Sequence, residues 1–320
     1  MISVSRENLI KWAPFLVLIA LVILFTAINP TFFSVRNFSR IAVASAPALM
    51  VAVGVTFIIV MGSIDLSMEG AVTLTAVLFA YMFIGLGGSL AGFGWLAIPA
   101  TLLVGAFIGV VNGLVHVKLR IPSFMASLAM GFIGTGAGIL LTGGDIVKVS
   151  DPIFRGLLTV RLLGFPLMVY VAVFGLLVAW FIQRYTILGR NFYAVGGGED
   201  LAHGSGVNVA RVRVLGFGLA GIFYALAAIL VVGRIGQAES ISGANFMFVS
   251  ITSVVVGGVA LWGGIGGVWN ALVGVLIVGV INNGMVVIGL PDFMQQGVLG
   301  ALVILSVVLS TDRFSISFVK

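Results

Sequence analysis

The sequence predicts an all-α membrane protein: a polytopic bundle of about ten transmembrane helices with short broken or re-entrant segments. Three observations carry that prediction. Of 320 residues, 61% are hydrophobic and only 8% charged, against about 25% charged in soluble domains. So few charges cannot cover a water-facing surface. The apolar residues run in long continuous stretches, where a β-barrel would show short alternating ones. The 44 glycines suit helices that approach one another closely in lipid.

Runs near the spanning length of about 17–25 residues fall at 13–28, 41–61, 68–86, 95–117, 123–141, 165–182, 214–233, 248–262, 268–289 and 293–310. Several are short, notably 248–262, and read as half-helices or re-entrant pieces. Arg6 and Lys11 before the first run resemble a signal sequence. Asn29-Pro30 follows instead of a small-residue cleavage site, so the run is expected to stay as an uncleaved span. Asn29 to Arg40 (NPTFFSVRNFSR) is expected to lie along the bilayer surface, and Pro47 predicts a kink. The polar stretches 142–164 and 233–245 are expected on the outer side, where together they could form a docking face for a soluble partner. A cytoplasmic N-terminus places ten of the sixteen Lys and Arg inside, as the positive-inside rule asks. Both termini are then expected in the cytoplasm, and residues 1–320 form a single transmembrane domain.

The longest polar interruption runs from Tyr185 to Arg213, with Arg184 at its edge. Its charges and backbone cannot sit in hydrocarbon. Ile187, Leu188, Phe192, Tyr193, Val195, Leu201 and Val207 recur through it, so it reads as a folded surface element. Such an element is what a soluble partner needs in order to move the membrane domain.

Candidate chemistry lies in three places. In Met61–Gly70 (MGSIDLSMEG), Asp65 and Glu69 stand four residues apart between two apolar runs. Ser63, Asp65 or Ser67 can cap the following helix, and Glu69 suits its first turn. An acid at membrane depth also raises a pathway, gating or proton role. The second place is Val256–Asn270 (VGGVALWGGIGGVWN), which loosely echoes the first: Gly62, Ile64 and Leu66 align with Gly257, Val259 and Leu261. Paired Gly-interrupted segments point towards a transport pathway, while tight helix packing is the alternative. The third is a set of polar residues inside the runs: Asn112, Thr135, Asn282 and Asn283. They serve helix-to-helix hydrogen bonds or line a route for a polyhydroxylated solute, against which Phe124, Trp262 or Trp269 could stack.

Other chemistries find no motif. Cysteine is absent, which excludes disulfides and thiolate sites. His116 and His203 show no metal-ligand spacing. No G-x-x-x-x-G-K-[ST] or G-x-S-x-G run is present, so any ATPase is another chain. The net charge of +6 reads as membrane-flanking Lys and Arg and not as nucleic-acid binding.

Four motifs in order resemble the permeases of ribose-type bacterial ATP-binding-cassette (ABC) importers. SIDLSMEG at 63–70 is similar to their G-G-I-D-L-S-V-G signature. IPSFMASLAM at 121–130 resembles P-x-F-I-x-T-L-G. TILGRNFYAVGGGEDLAHGSGVNV at 186–209 looks like their cytoplasmic loop, T-x-x-G-R-x-x-Y-A-[IV]-G-G-N followed by A-A-x-x-S-G-I. VVVGGVALWGGIGGVWNALVG at 254–274 is similar to V-I-G-G-x-S-L-x-G-G-x-G. The resemblance covers about residues 28–310. Ser63, Met68-Glu69, Gly198-Glu199, Leu201, His203 and Ala260 depart from it, and Met-Glu is closer to the G-V-E-G of nucleoside permeases.

The resemblance implies a permease of the bacterial inner membrane for a monosaccharide, or for a nucleoside or another small polar solute. A second permease copy, two ATPase subunits and a periplasmic binding protein would accompany it, with membrane lipid around the bundle. ATP and Mg would sit on the ATPase, leaving no cofactor in this chain. The 184–213 loop would dock the ATPase through Gly189, Arg190, Tyr193, Ala194, Gly196, Gly197, Ala202, Ser205 and Gly206. Asp65, Ser67, Glu69, Asn112, Phe124, Asn282 and Asn283 are the expected pathway or gating residues. From a different class, an ion-coupled transporter would use Asp65 or Glu69.

Overall fold

The structure is a computed structural model that describes residues 6–291 and, beyond them, 294, 295, 297, 298, 300, 301 and 304. It is almost wholly helical. In order come α1 (Arg6–Ile28), a 3-10 turn at Pro30–Phe32, α2 (Val35–Val60), α3 (Met68–Gly85), a second 3-10 turn at Gly94–Leu96, α4 (Ala97–Leu119) and α5 (Ser123–Thr142). The short strand β1 (Val147–Lys148), α6 (Pro152–Thr159), β2 (Arg161–Leu162) and β3 (Phe165–Pro166) fill the loop before α7 (Leu167–Tyr185). The small helices α8 (Ile187–Gly197) and α9 (Glu199–Gly204) precede α10 (Val209–Ile235), β4 (Gln237–Ala238), α11 (Phe246–Val256) and α12 (Val268–Val287). Strand β1 pairs antiparallel with β4, and β2 with β3.

Among the described residues, seven helices are long and apolar enough to cross a membrane: α2, α3, α4 with the turn before it, α5, α7, α10 and α12. That supports an all-α membrane bundle and stops short of the expected count of about ten. The 13–28 run is the apolar part of α1, the stretch Trp12–Ile28. The 248–262 run stops being helix at Val256, because Gly257-Gly258 follows with φ +93° at Gly258, a left-handed conformation that ends a helix. The 293–310 run lies mostly outside the described residues. The 29–40 stretch is a tight connection with one buried and one exposed side: Phe33 and Val35 are exposed. Asn29 caps the 3-10 turn, Phe32 is fully buried against Phe25 and Phe38, and α2 begins six residues after Asn29. Helix α2 runs unbroken through Pro47.

Helices α2 and α10 form the centre, each buried over most of its apolar window, whereas α4, α5 and α7 leave most of theirs open. In water that exposure would be unfavourable; in lipid it is the outer wall of the bundle. Close approach needs small residues at the crossings. A Cβ on Gly109 of α4 would overlap the Phe217 carbonyl of α10, and one on Gly70 of α3 would overlap Gly131 of α5.

Candidate functional site

Between α2 and α3 the chain leaves helical structure from Gly62 to Ser67, with Ser63, Asp65 and Ser67 buried in the bundle, where the backbone needs partners it cannot take from water. Side chains supply them. The Ser123 hydroxyl accepts from the Ile64 N–H (3.0 Å) and the Ser127 hydroxyl from the Leu66 N–H (2.9 Å). Asp65, only 2% exposed, closes an Asx turn by accepting from the Ser67 N–H (2.8 Å) and hydroxyl (2.6 Å). Its other oxygen accepts from the Tyr224 hydroxyl of α10 at 2.9 Å. The Asn112 amide of α4 donates to Ser67 Oγ (3.1 Å) and, at the long limit, to Asp65 (3.4 Å). One carboxylate thus joins the α2–α3 break to α4 and α10. The Asn112 carbonyl oxygen is buried there without a partner.

The other expected pathway residues do not join this cluster. Glu69 turns away from Asp65 and accepts from the Met247 N–H (3.3 Å) in the first turn of α11. The Thr73 hydroxyl accepts from the Gly243 N–H one turn further along α3. The first turns of α3 and α11 therefore meet, with Glu69 satisfying one free N–H of the neighbouring helix. Asn283 pairs with Asn37 near the start of α2 (2.8 Å). Asn282 makes no side-chain hydrogen bond among the described residues. Phe124 is 41% exposed at the start of α5. Sequence reading missed Tyr224, Ser123 and Ser127. Their signals were a single tyrosine within the 214–233 run and two serines four apart, one turn of helix, at the start of 123–141.

The polar 185–213 stretch folds as two short helices against the end of α2. The Thr186 hydroxyl caps α8 by accepting from the Gly189 N–H (3.1 Å), and a Cβ on Gly189 would overlap the Ile182 and Gln183 carbonyls. Phe192 and Val195 are buried, with the Phe192 ring 5.6 Å from that of Phe57. Gly196 lies so close to the Val60 carbonyl and to the Gly264 N–H that no side chain fits. The Gly264 N–H donates to that same carbonyl (2.9 Å). Here α8 touches both glycine-interrupted segments at once: the one that begins at Gly62 and the one from Gly257 to Gly267. The Tyr193 hydroxyl donates to the Gly266 carbonyl (2.6 Å) and bonds Gln183, whose carbonyl oxygen accepts from the Val268 N–H (3.1 Å). Partial burial raises the Tyr193 pKa, offset in part by Gln183. Tyr193 is therefore a neutral donor at physiological pH.

Arg190, Ala194 and Gly197 face outward on α8, with Ser205 and Gly206 beyond α9, while Ala202 is buried. Glu199, a departure from the family pattern, forms a two-point ion pair with Arg213 of α10 (2.7 and 3.1 Å). It pins α9 to the membrane domain. Thus α8 and α9 form a small platform with a buried side on the bundle and an open side away from it.

Residues 37–307 match the family described as branched-chain amino acid transport system / permease component. The chain belongs to this permease family. The permease is 34% identical over 308 residues to the ribose import permease protein of Haemophilus influenzae, covering 95% of this chain and 94% of that one. It is 33% identical to the galactose/methyl galactoside import permease protein of the same organism, over 97% of both chains. With the D-allose transport system permease protein of Escherichia coli it shares 29% identity over 93% of this chain and 91% of the relative. Family and apolar helices together make it a multi-pass protein of the inner membrane.

Proposed function

We propose that the chain is the transmembrane permease subunit of an ABC importer that moves a monosaccharide across the bacterial inner membrane. Similarity over nearly the full chain to permeases named for ribose, galactose and allose carries this reading. In it, 1–320 is one transmembrane domain of about ten membrane-crossing segments, with α1, α11 and the 293–310 run completing the seven long helices. Both termini and the 184–213 loop are cytoplasmic. ATP and Mg act on a separate ATPase, and a periplasmic binding protein delivers the sugar to a permease that pairs with a second copy.

The geometry gives the reading a mechanism. The open side of α8 and α9, with Ala194, Gly197, Ser205 and Gly206, meets the ATPase, and Arg190 stands at the edge of that face, beside α7. Gly189, Tyr193, Gly196 and Ala202 seat the platform on the bundle. Motion of the ATPase moves α8, and Gly196 passes that motion to the Val60 carbonyl and so to the α2–α3 break. Asp65, Ser67 and Asn112 carry it to α4 and α10 as a gate, and Glu69 carries it to α11. Phe124, Asn282 and Asn283 stand apart from this gate and are kept as pathway candidates.

The test is uptake of labelled ribose, galactose and allose by the reconstituted complex. Uptake should require ATP and survive a protonophore. Gly196→Val, whose side chain would overlap Val60, should leave the purified complex monodisperse and lower ATP-driven uptake at least tenfold (about 1.4 kcal/mol of lost coupling). Wild-type uptake by a correctly assembled Gly196→Val complex would sink the α8 route. Uptake lost with the protonophore and indifferent to ATP would sink the importer reading itself.

A further inference from the structure

Beside α8, a cavity of about 470 Å³ is lined by Trp180 and Arg184 of α7, Arg190 and Tyr193 of α8, and Trp269 and Asn270 of α12. No acidic side chain lines it. Among the described residues, the side chains of Arg184 and Arg190 form no hydrogen bond or ion pair, and both residues are exposed. Two unneutralised guanidinium groups in one hollow call for an anion.

The rest of the wall says which kind. Trp180 stands 6.3 Å from Trp269 and 5.5 Å from Tyr185, ring centre to ring centre. Trp180 lies in the last turns of α7 and Trp269 in the first turn of α12, so these rings sit where two spanning helices meet the polar boundary. Trp and Tyr gather at that level of a bilayer. Phe181, next in sequence to Trp180, and Phe174, seven residues before Phe181, share one side of α7 and are 57% and 68% exposed, an apolar strip for hydrocarbon chains. A free inorganic anion has no use for the aromatic rings or the strip, and an acidic protein side chain would meet the arginines but leave the strip uncovered. A molecule with a phosphate diester at one end and acyl chains at the other fits all three features.

We propose that this cavity binds the headgroup of an anionic phospholipid, its phosphate between Arg184 and Arg190 and its chains along α7. The site abuts Tyr193, which holds α8 to the turn at Gly266. A bound lipid therefore ties the surface helix to the bilayer as well as to the bundle.

The experiment titrates the purified full-length chain in detergent with phosphatidylglycerol, with phosphatidylcholine and with inorganic phosphate, read by native mass spectrometry. Phosphatidylglycerol should bind preferentially. The Arg184→Gln/Arg190→Gln double variant should lose about thirtyfold in its affinity and each single variant about fivefold, from the attraction usual for a basic residue near anionic lipid. Lys148→Gln/Arg161→Gln removes equal charge at exposed sites away from the cavity and should bind like wild type. If one double variant fails to stay monodisperse, the single variants decide. Equal binding of both lipids overturns the proposal, and so does displacement of phosphatidylglycerol by millimolar phosphate. Unchanged lipid affinity in the Arg184/Arg190 variants also overturns it.

Discussion

Two aspartates sit at helix starts at two levels of this molecule, and their partners differ in kind. Asp151 caps α6 in the loop between spans. It accepts from the Phe154 N–H (2.9 Å), the Leu90 N–H (3.3 Å) and the Ser89 hydroxyl (3.0 Å). Asp65 precedes α3 inside the bundle, and beyond its own Asx turn its partners are side chains of α4 and α10. Asp151 fastens a short helix to a neighbouring turn. Asp65 fastens three membrane helices to each other. Near-equal burial, 6% and 2% exposed, therefore hides different duties, and the difference shows in what breaks when each is removed.

The largest effect is expected from Asp65→Ala. It leaves the buried Tyr224 hydroxyl and Ser67 N–H without their acceptor, at about 1–3 kcal/mol for each such group. The midpoint of thermal unfolding in detergent, followed by tryptophan fluorescence, should fall well below that of any Asp151 variant. Asp151→Ala removes the α6 cap together with the part-buried link to the Ser89–Leu90 turn and should cost about 0.5–2 kcal/mol, since the Ser89 and Leu90 donors lie near enough to the surface to turn to water. If Asp151→Ala proves the more damaging, the hub role of Asp65 is wrong. Tyr224→Phe sharpens the point by cutting only the link to α10. It should cost about 1–3 kcal/mol, and combined with Asp65→Ala it should add little, because both act on one hydrogen bond. Full additivity would mean that Tyr224 stabilises α10 by some other route.

How much of this was legible follows the same division. Long apolar runs fixed seven spans closely, since composition and length alone decide them. The 257–267 turn was visible as paired glycines, and its positive φ angles at Gly258, Gly263, Gly264 and Gly266 explain why glycine is required there. Asp65 and Glu69 were visible as acids at membrane depth, but their partners were not. Tyr224 lies 159 residues from Asp65, and the chain pattern holds no trace of that pairing. The seven pathway candidates looked like one set because all are polar residues in or beside apolar runs. Packing distributes them among Asp65, α11, Asn37 and the surface. At 29–40 the amphipathic composition showed two sides but not the turn between them: Phe32 packs inward while Phe33 and Val35 are exposed.

The smallest effect is a titration, and it tests Asp151 alone. Burial works to raise the pKa of Asp151, but N–H donation from Phe154, Leu90 and Ile153 and the Ser89 hydroxyl outweigh it, so its pKa falls below the ordinary carboxylate value. A carboxylate with a lowered folded-state pKa stabilises the fold fully above its unfolded pKa of about 3.9. That contribution is lost as pH falls through the folded value. Wild type and Asp151→Asn should therefore differ most in hydrogen-exchange protection of residues 151–160 at neutral pH. The ratio of their exchange rates cancels the intrinsic pH dependence of exchange, and it should move towards one only as pH drops below about 4. A ratio that already collapses between pH 7 and 5 would place the Asp151 pKa above the ordinary value. Burial would then outweigh its backbone donors, and the contrast with Asp65 would have to rest on position alone.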